Sequence, residues 1–145
     1  MGSIEFIING DPQGKGRPKH TKSGHTYTPT KTRAYEEEVK TAYVFAGGTK
    51  LGGYIKADIL ITYDVPKSYT KKDKQAITDG TKLPDKKPDI DNIIKIIFDA
   101  LNGYAYDDDK QIIEVKANKV YGKKPSVKVR LETIDEDYLK VGGTE

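Results

Sequence analysis

From Tyr54 to Val65 the chain keeps a strict two-residue rhythm: Ile55, Ala57, Ile59, Ile61, Tyr63 and Val65 are apolar at every second position. Period two puts those six side chains on one side of an extended segment, so 54–65 is predicted as a long strand with a buried face. Such a strand needs hydrogen-bonded neighbours and something apolar laid over it, which excludes an all-helical bundle. The neighbours are visible. Ile4, Phe6 and Ile8 alternate near the start; Ile113, Val115 and Ala117 alternate over 111–120; Val127, Val129 and Leu131 alternate over 126–132. Gly122 and Pro125 mark the turn between the last two.

The cover is helical. Tyr35, Val39, Ala42, Tyr43 and Ala46 fall on one face of a helix that starts at Thr30 or Thr32 and stops at Gly47-Gly48. Ile90, Ile93, Ile94, Ile97 and Leu101 make the same stripe over 91–102, and Asn102-Gly103 ends it. The order β-α-β-α-β-β predicts an α/β (α+β) fold: one domain over 1–134, a mixed sheet of about four strands, and helices packed on it. Residues 135–145 are expected to be a flexible tail. Two polar stretches interrupt the pattern. Residues 10–29 read as a loop, and 66–88 as a long excursion with a short helix after Ser68 or Thr70.

Composition narrows the chemistry. The 145 residues include no Cys, which excludes thiolate metal sites and a disulfide scaffold, and no apolar run approaches the length of a membrane span. The net charge of +3 hides a strong division. Residues 11–33 carry six basic side chains against Asp11, and 66–88 carry seven lysines against three aspartates. Residues 89–114 carry seven acids against two lysines. Two basic segments beside an acidic one suggest a polyanion partner next to a cation site; solvated loops around an acidic turn are the plainer alternative.

The acidic residues have a definite spacing. Lys87-Pro88-Asp89-Ile90-Asp91-Asn92 precedes Lys95, and Asp107-Asp108-Asp109-Lys110-Gln111 follows the helix. A helix over 91–102 climbs about 18 Å, and residues 103–109, if extended, run back about 20 Å. Asp109 is therefore expected beside Asp89 and Asp91. Three converging carboxylates repel one another unless a hard divalent cation sits among them, and oxygen-only ligation suits Mg²⁺, with Mn²⁺ as a substitute. Lys95, four residues after Asp91, can orient a carboxylate or offset charge on a reacting phosphate. Taken singly, an Asp at a helix start is more often a cap, and an Asp-rich turn is more often solvated.

Other motifs carry less. His20 and His25 lie in a polar loop without metal-binding context, and Gly14-Lys15-Gly16-Arg17 lacks the spacing of a P-loop. No nucleotide cofactor is expected. Tyr27, Tyr69, Tyr104 and Tyr106 are candidate stacking platforms for bases and equally ordinary packing residues. Asp99 is expected to pair with Lys95 or with a neighbouring loop.

The run Lys87-Pro88-Asp89-Ile90-Asp91-Asn92-Ile93-Ile94-Lys95, then Phe98-Asp99-Ala100-Leu101-Asn102-Gly103, then Asp108-Asp109-Lys110-Gln111-Ile112, resembles the RusA family of Holliday junction resolvases. The likeness extends more loosely to Gly16-Arg17-Pro18-Lys19, to Tyr27-Thr28-Pro29 and to Val65-Pro66-Lys67. It implies a homodimeric, Mg²⁺-dependent endonuclease, bacterial or phage-encoded, cytoplasmic and associated with the nucleoid, that nicks paired strands of four-way DNA during recombination and repair. It also implies that Asp89, Asp91 and Asp109 are the metal-binding catalytic aspartates and that Lys95 is the catalytic lysine. Pro88 stands where one branch of the family has a DNA-holding arginine, so Lys86 or Lys87 is the expected replacement. Lys15, Arg17, Lys19, Lys31, Arg33, Lys71, Lys72, Lys86 and Lys87 are the expected backbone contacts. Two alternatives fit the same residues: a branched-DNA-binding module without catalysis, and a metal-dependent nuclease for another branched substrate.

Overall fold

A computed structural model describes residues 2–135 of the chain. Apart from Asp135, the expected tail lies outside the described residues. One sheet organises the rest, in the order β1-β6-β4-β5. Its strands are β1 (Ser3–Asn9), β4 (Ile55–Asp64), β5 (Ile112–Gly122) and β6 (Ser126–Thr133). β6 runs antiparallel to both β1 and β4, whereas β4 and β5 run parallel, so the sheet is mixed as expected.

The alternation in β4 does what the sequence rhythm requires. Ile55, Ala57, Ile59, Ile61 and Tyr63 are buried, and register sets them beside Val127, Val129 and Leu131 of β6, which in turn face Phe6 and Ile8 of β1. Two helices cover this face. α1 (Thr30–Phe45) contributes Thr32, Tyr35, Val39 and Tyr43; α3 (Ile90–Leu101) contributes Ile93, Ile96, Ile97, Phe98, Ala100 and Leu101. The opposite face is charged and open to solvent, with Glu5 near Lys128 and Arg130, and Lys56 bridging to Glu132 at 3.3 Å.

Parallel pairing of β4 and β5 requires a long crossover, and residues 65–111 supply it. Within it α2 (Lys71–Thr78) starts at Thr70, whose hydroxyl accepts from the Asp73 amide while the Asp73 carboxylate accepts from the Thr70 amide. α2 buries none of its residues, so its capping rather than packing defines it.

The segment 10–29 is not wholly loop. β2 (Lys19–His20) and β3 (Thr26–Tyr27) form a two-stranded ribbon around a turn in which Gly24 adopts φ +87°. Gly14 and Gly16 serve close approach. A side chain on Gly14 would meet Pro88 at 2.9 Å, and one on Gly16 would meet the Thr32 hydroxyl at 2.6 Å. The Gly16 amide donates to that hydroxyl at 3.1 Å, and the Lys15 amide donates to the Asn92 carbonyl at 3.1 Å. The glycine-rich loop is thereby laid against the starts of both α1 and α3.

Candidate active site and nucleic-acid interface

Loop and helix start enclose a polar cleft of about 510 Å³, lined by Pro12, Gln13, Gly14, Lys15, Arg17, Lys87, Pro88, Asp89 and Asn92. Asp89 is the N-cap residue of α3 but its side chain caps nothing, which leaves an exposed carboxylate at the cleft. Asp91, in the first turn, is also exposed, and its Oδ1 accepts from the Asn92 amide at 3.0 Å. Lys95 is exposed one turn further along.

Asp109 does not join them. It opens a short 3-10 turn (Asp109–Gln111), where its amide donates to Asn102 Oδ1 at 3.0 Å, at the opposite end of α3. Burial raises the pKa of its carboxyl, and the charges of Asp108 and Asp99 raise it further. Asp91 and Asp99 are eight residues apart on α3, about 12 Å along its axis. The expected run-back of residues 103–109 fails for a packing reason. Ala105 and Tyr106 are fully buried, the Tyr106 hydroxyl donates to the Phe98 carbonyl at 2.8 Å, and the Gly103 amide donates to the Tyr106 carbonyl at 2.8 Å. The chain therefore turns tightly into the core instead of extending toward the helix start.

Among the described residues, no three carboxylate or histidine side chains are grouped so as to hold a metal ion. The aspartates suit a hard cation by donor chemistry, whereas the expected convergence of Asp89, Asp91 and Asp109 is not seen among the described residues.

Gln111 has a role that the motif alone did not reveal. Its Oε1 accepts from the amides of Asp107 and Asp108 at 2.9 and 3.3 Å, while its Nε2 donates to the carbonyls of Leu51 and Gly53 at 3.2 and 2.9 Å. One amide side chain staples the acidic turn to the entry of β4. Asp107 itself is engaged by Lys50 at 2.9 Å.

The basic candidates separate into two groups. Arg17, Lys31, Arg33, Lys71, Lys72 and Lys87 are exposed, and Arg17 and Lys87 line the cleft beside Asp89. Lys19 lies in β2. Lys15 turns inward, to Glu36 of α1 at 3.0 Å and Asp99 of α3 at 3.3 Å, so Asp99 finds its partner on the neighbouring loop rather than in Lys95. Lys86 lies over the ring of Tyr63, 5.1 Å from its centroid. Of the tyrosines, Tyr104 is exposed beneath Lys40, Tyr69 meets Tyr121, and Tyr106 is core.

Comparison with known proteins bears on what this surface is for. The family described as Endodeoxyribonuclease RusA matches residues 9–132. An uncharacterized protein of Bacillus subtilis (strain 168), YqaN, is 32% identical over 140 residues, covering 92% of this chain and 99% of the relative. A match across the glycine-rich loop, the α3 aspartates and the stapled acidic turn takes in every part of the cleft and its surroundings, and on that extent the chain belongs to the RusA endodeoxyribonuclease family.

Proposed function

We propose that the protein is a divalent-cation-dependent endodeoxyribonuclease that resolves four-way DNA junctions, as a homodimer, by paired symmetric nicks. The observation that carries this reading is the cleft in which the exposed Asp89 carboxylate stands beside Arg17 and Lys87. Cations on its rim attract a phosphate backbone, and the carboxylate lies where that backbone would pass. Lys19, Lys31, Arg33, Lys71, Lys72 and Lys86 extend the proposed contact surface.

The reaction is phosphodiester hydrolysis. A water oxygen, giving up a proton, bonds to phosphorus in line with the departing 3′-oxygen, the P–O bond breaks, and the leaving oxygen takes up a proton in turn. Asp89 and Asp91 are the proposed catalytic carboxylates at the cleft, Asp109 is proposed with them from the family alone, and Lys95 sets its ammonium against the charge of the scissile phosphate. Mg²⁺, or Mn²⁺ in its place, is proposed from oxygen-donor chemistry and from the family alone. Two-fold symmetry would present two copies of the cleft to symmetry-related strands of a junction. The separation of Asp109 from Asp89 and Asp91 favours one second reading, a branched-DNA-binding module without cleavage.

A single assay separates the two. Labelled four-way junction, flap and linear duplex are incubated with the protein in Mg²⁺, in Mn²⁺ and in chelator. Symmetric nicks confined to the junction and dependent on the ion are expected, and Asp91→Asn should bind the junction without cutting it. Junction binding with no cut in either ion establishes the second reading instead.

A further inference from the structure

Lys119 lies on β5, outside both basic segments, and the function proposed above makes no use of it. Its Nζ donates to the carbonyl of Lys86 at 2.8 Å and to that of Pro88 at 2.7 Å. It also stands 5.6 Å from the centroid of the Tyr63 ring, and the Tyr63 hydroxyl approaches the Pro88 carbonyl at 3.5 Å. An ammonium has three donors; here two are committed to backbone oxygens and an aromatic face lies close by. A lysine so occupied is a clamp rather than a free phosphate contact.

The clamp has a second point. Tyr121, two residues on and therefore on the same side of β5, brings its hydroxyl to 2.9 Å from that of Tyr69, with the rings edge-on at 5.9 Å. The polar excursion between β4 and α3 is thus fastened to the edge strand near its beginning and again at its end.

The end point is the informative one. The peptide unit whose carbonyl Lys119 holds is the one that joins Pro88 to Asp89. A peptide is planar, so holding its oxygen sets the plane in which the Asp89 nitrogen and Cα lie. The Asp89 carboxylate itself caps no amide and is exposed. We propose that Lys119 is a positioning residue: by clamping the Lys86 and Pro88 carbonyls it sets the direction in which Asp89 enters the cleft. This rests on reading Asp89 as a working carboxylate of a nuclease.

The test compares wild type with Lys119→Met, which keeps the stem and removes the donors, and with Lys119→Arg, which restores donors on a longer head. Lys119→Met should lower kcat for junction cleavage by about 10- to 100-fold while KM and junction affinity stay within about twofold. Lys119→Arg should recover most of the loss. Hydrogen exchange at the Ile93 amide, which donates to the Asp89 carbonyl at 3.1 Å, should quicken in Lys119→Met while the amides of α1 keep their protection. A side chain that merely stabilises the fold would move melting temperature and α1 exchange together and would not split kcat from KM. If Lys119→Met does not fold, Lys119→Gln, which keeps a shorter donor, carries the same comparison.

Wild-type kcat in the Met variant, a loss confined to KM, or unchanged exchange at the Ile93 amide each overturns the proposal. Failure of the wild type to cut any substrate overturns the nuclease reading and the catalytic purpose of the clamp with it. The exchange comparison then reports separately whether the clamp exists.

Discussion

Lys15 spends its charge inside the domain, and the consequence can be measured. Burial on its own would lower the pKa of its ammonium, but the hydrogen bond and charge of Glu36, reinforced by Asp99, outweigh that and carry it above the ordinary lysine value of 10.5. A cation whose folded pKa is raised contributes stability that is complete below the unfolded pKa and is lost as pH climbs through the folded one. At neutral pH the contribution is therefore present in full. Lys15→Met should lower the unfolding free energy by about 1–2 kcal/mol, because it leaves two half-buried carboxylates facing each other across α1 and α3. Denaturant melts at neutral pH check this, and an unchanged midpoint would mean that the bridge holds nothing. In the sequence, Lys15 is indistinguishable from Arg17: both are cations in a glycine-rich run. Only the third dimension shows that Gly14 and Gly16 let the loop lie close enough to α1 and α3 for Lys15 to be captured by Glu36 and Asp99 while Arg17 stays exposed. Gln111 was invisible for the same reason, since two of its four partners, Leu51 and Gly53, are some sixty residues away in sequence.

Elements were legible where periodicity spoke for them. α3 carries an apolar residue at nearly every position of its inner face, and β4 alternates over its whole length, so both are found almost to the residue. The ribbon of β2 and β3 has two residues per strand, too few for any period, and its existence is decided by the turn at Gly24. The path of 103–109 failed for a different reason. Reach sets only an upper limit on where a segment goes; Ala105 and Tyr106, buried against α3, decide where it does go. α2 illustrates an element resting on local chemistry. With no buried residue, it depends on the reciprocal hydrogen bonds of Thr70 and Asp73, and the Asp73 carboxyl is held below its usual pKa chiefly by the Thr70 amide. Thr70→Ala should cost this helix about 1 kcal/mol of local stability. Hydrogen exchange over 71–78 should accelerate several-fold while the global melting temperature barely moves. A large fall in melting temperature would show instead that α2 is coupled to the core.

At the scale of the molecule, the small net charge conceals a division of labour along the chain. The exposed cations of the glycine-rich loop, of the start of α1 and of the excursion stand apart from the mixed-sign, solvated face of the sheet. No helix among the described residues is long and apolar enough to cross a membrane. If the cations are a phosphate-binding surface, the logarithm of junction affinity should fall linearly with the logarithm of salt concentration. Arg17→Ala should then weaken binding to junctions of every sequence alike and reduce that slope by about 1. A slope that does not respond to the variant would place the backbone elsewhere.

The position of β6 has a consequence for how the chain comes into being. Among the described residues, β1 pairs only with β6, the strand furthest from it in sequence, and β4 borrows one of its two partners from the same late strand. While Ser126–Thr133 is still inside the ribosome, the first strand has nothing to pair with and the apolar face of β4 is framed on one side alone. The contacts that close the sheet span nearly the whole length of the polypeptide, which makes folding slow to begin and all-or-none once it does. A chain that stops short of Ser126–Thr133 carries its acids and its cations on a sheet that has not closed.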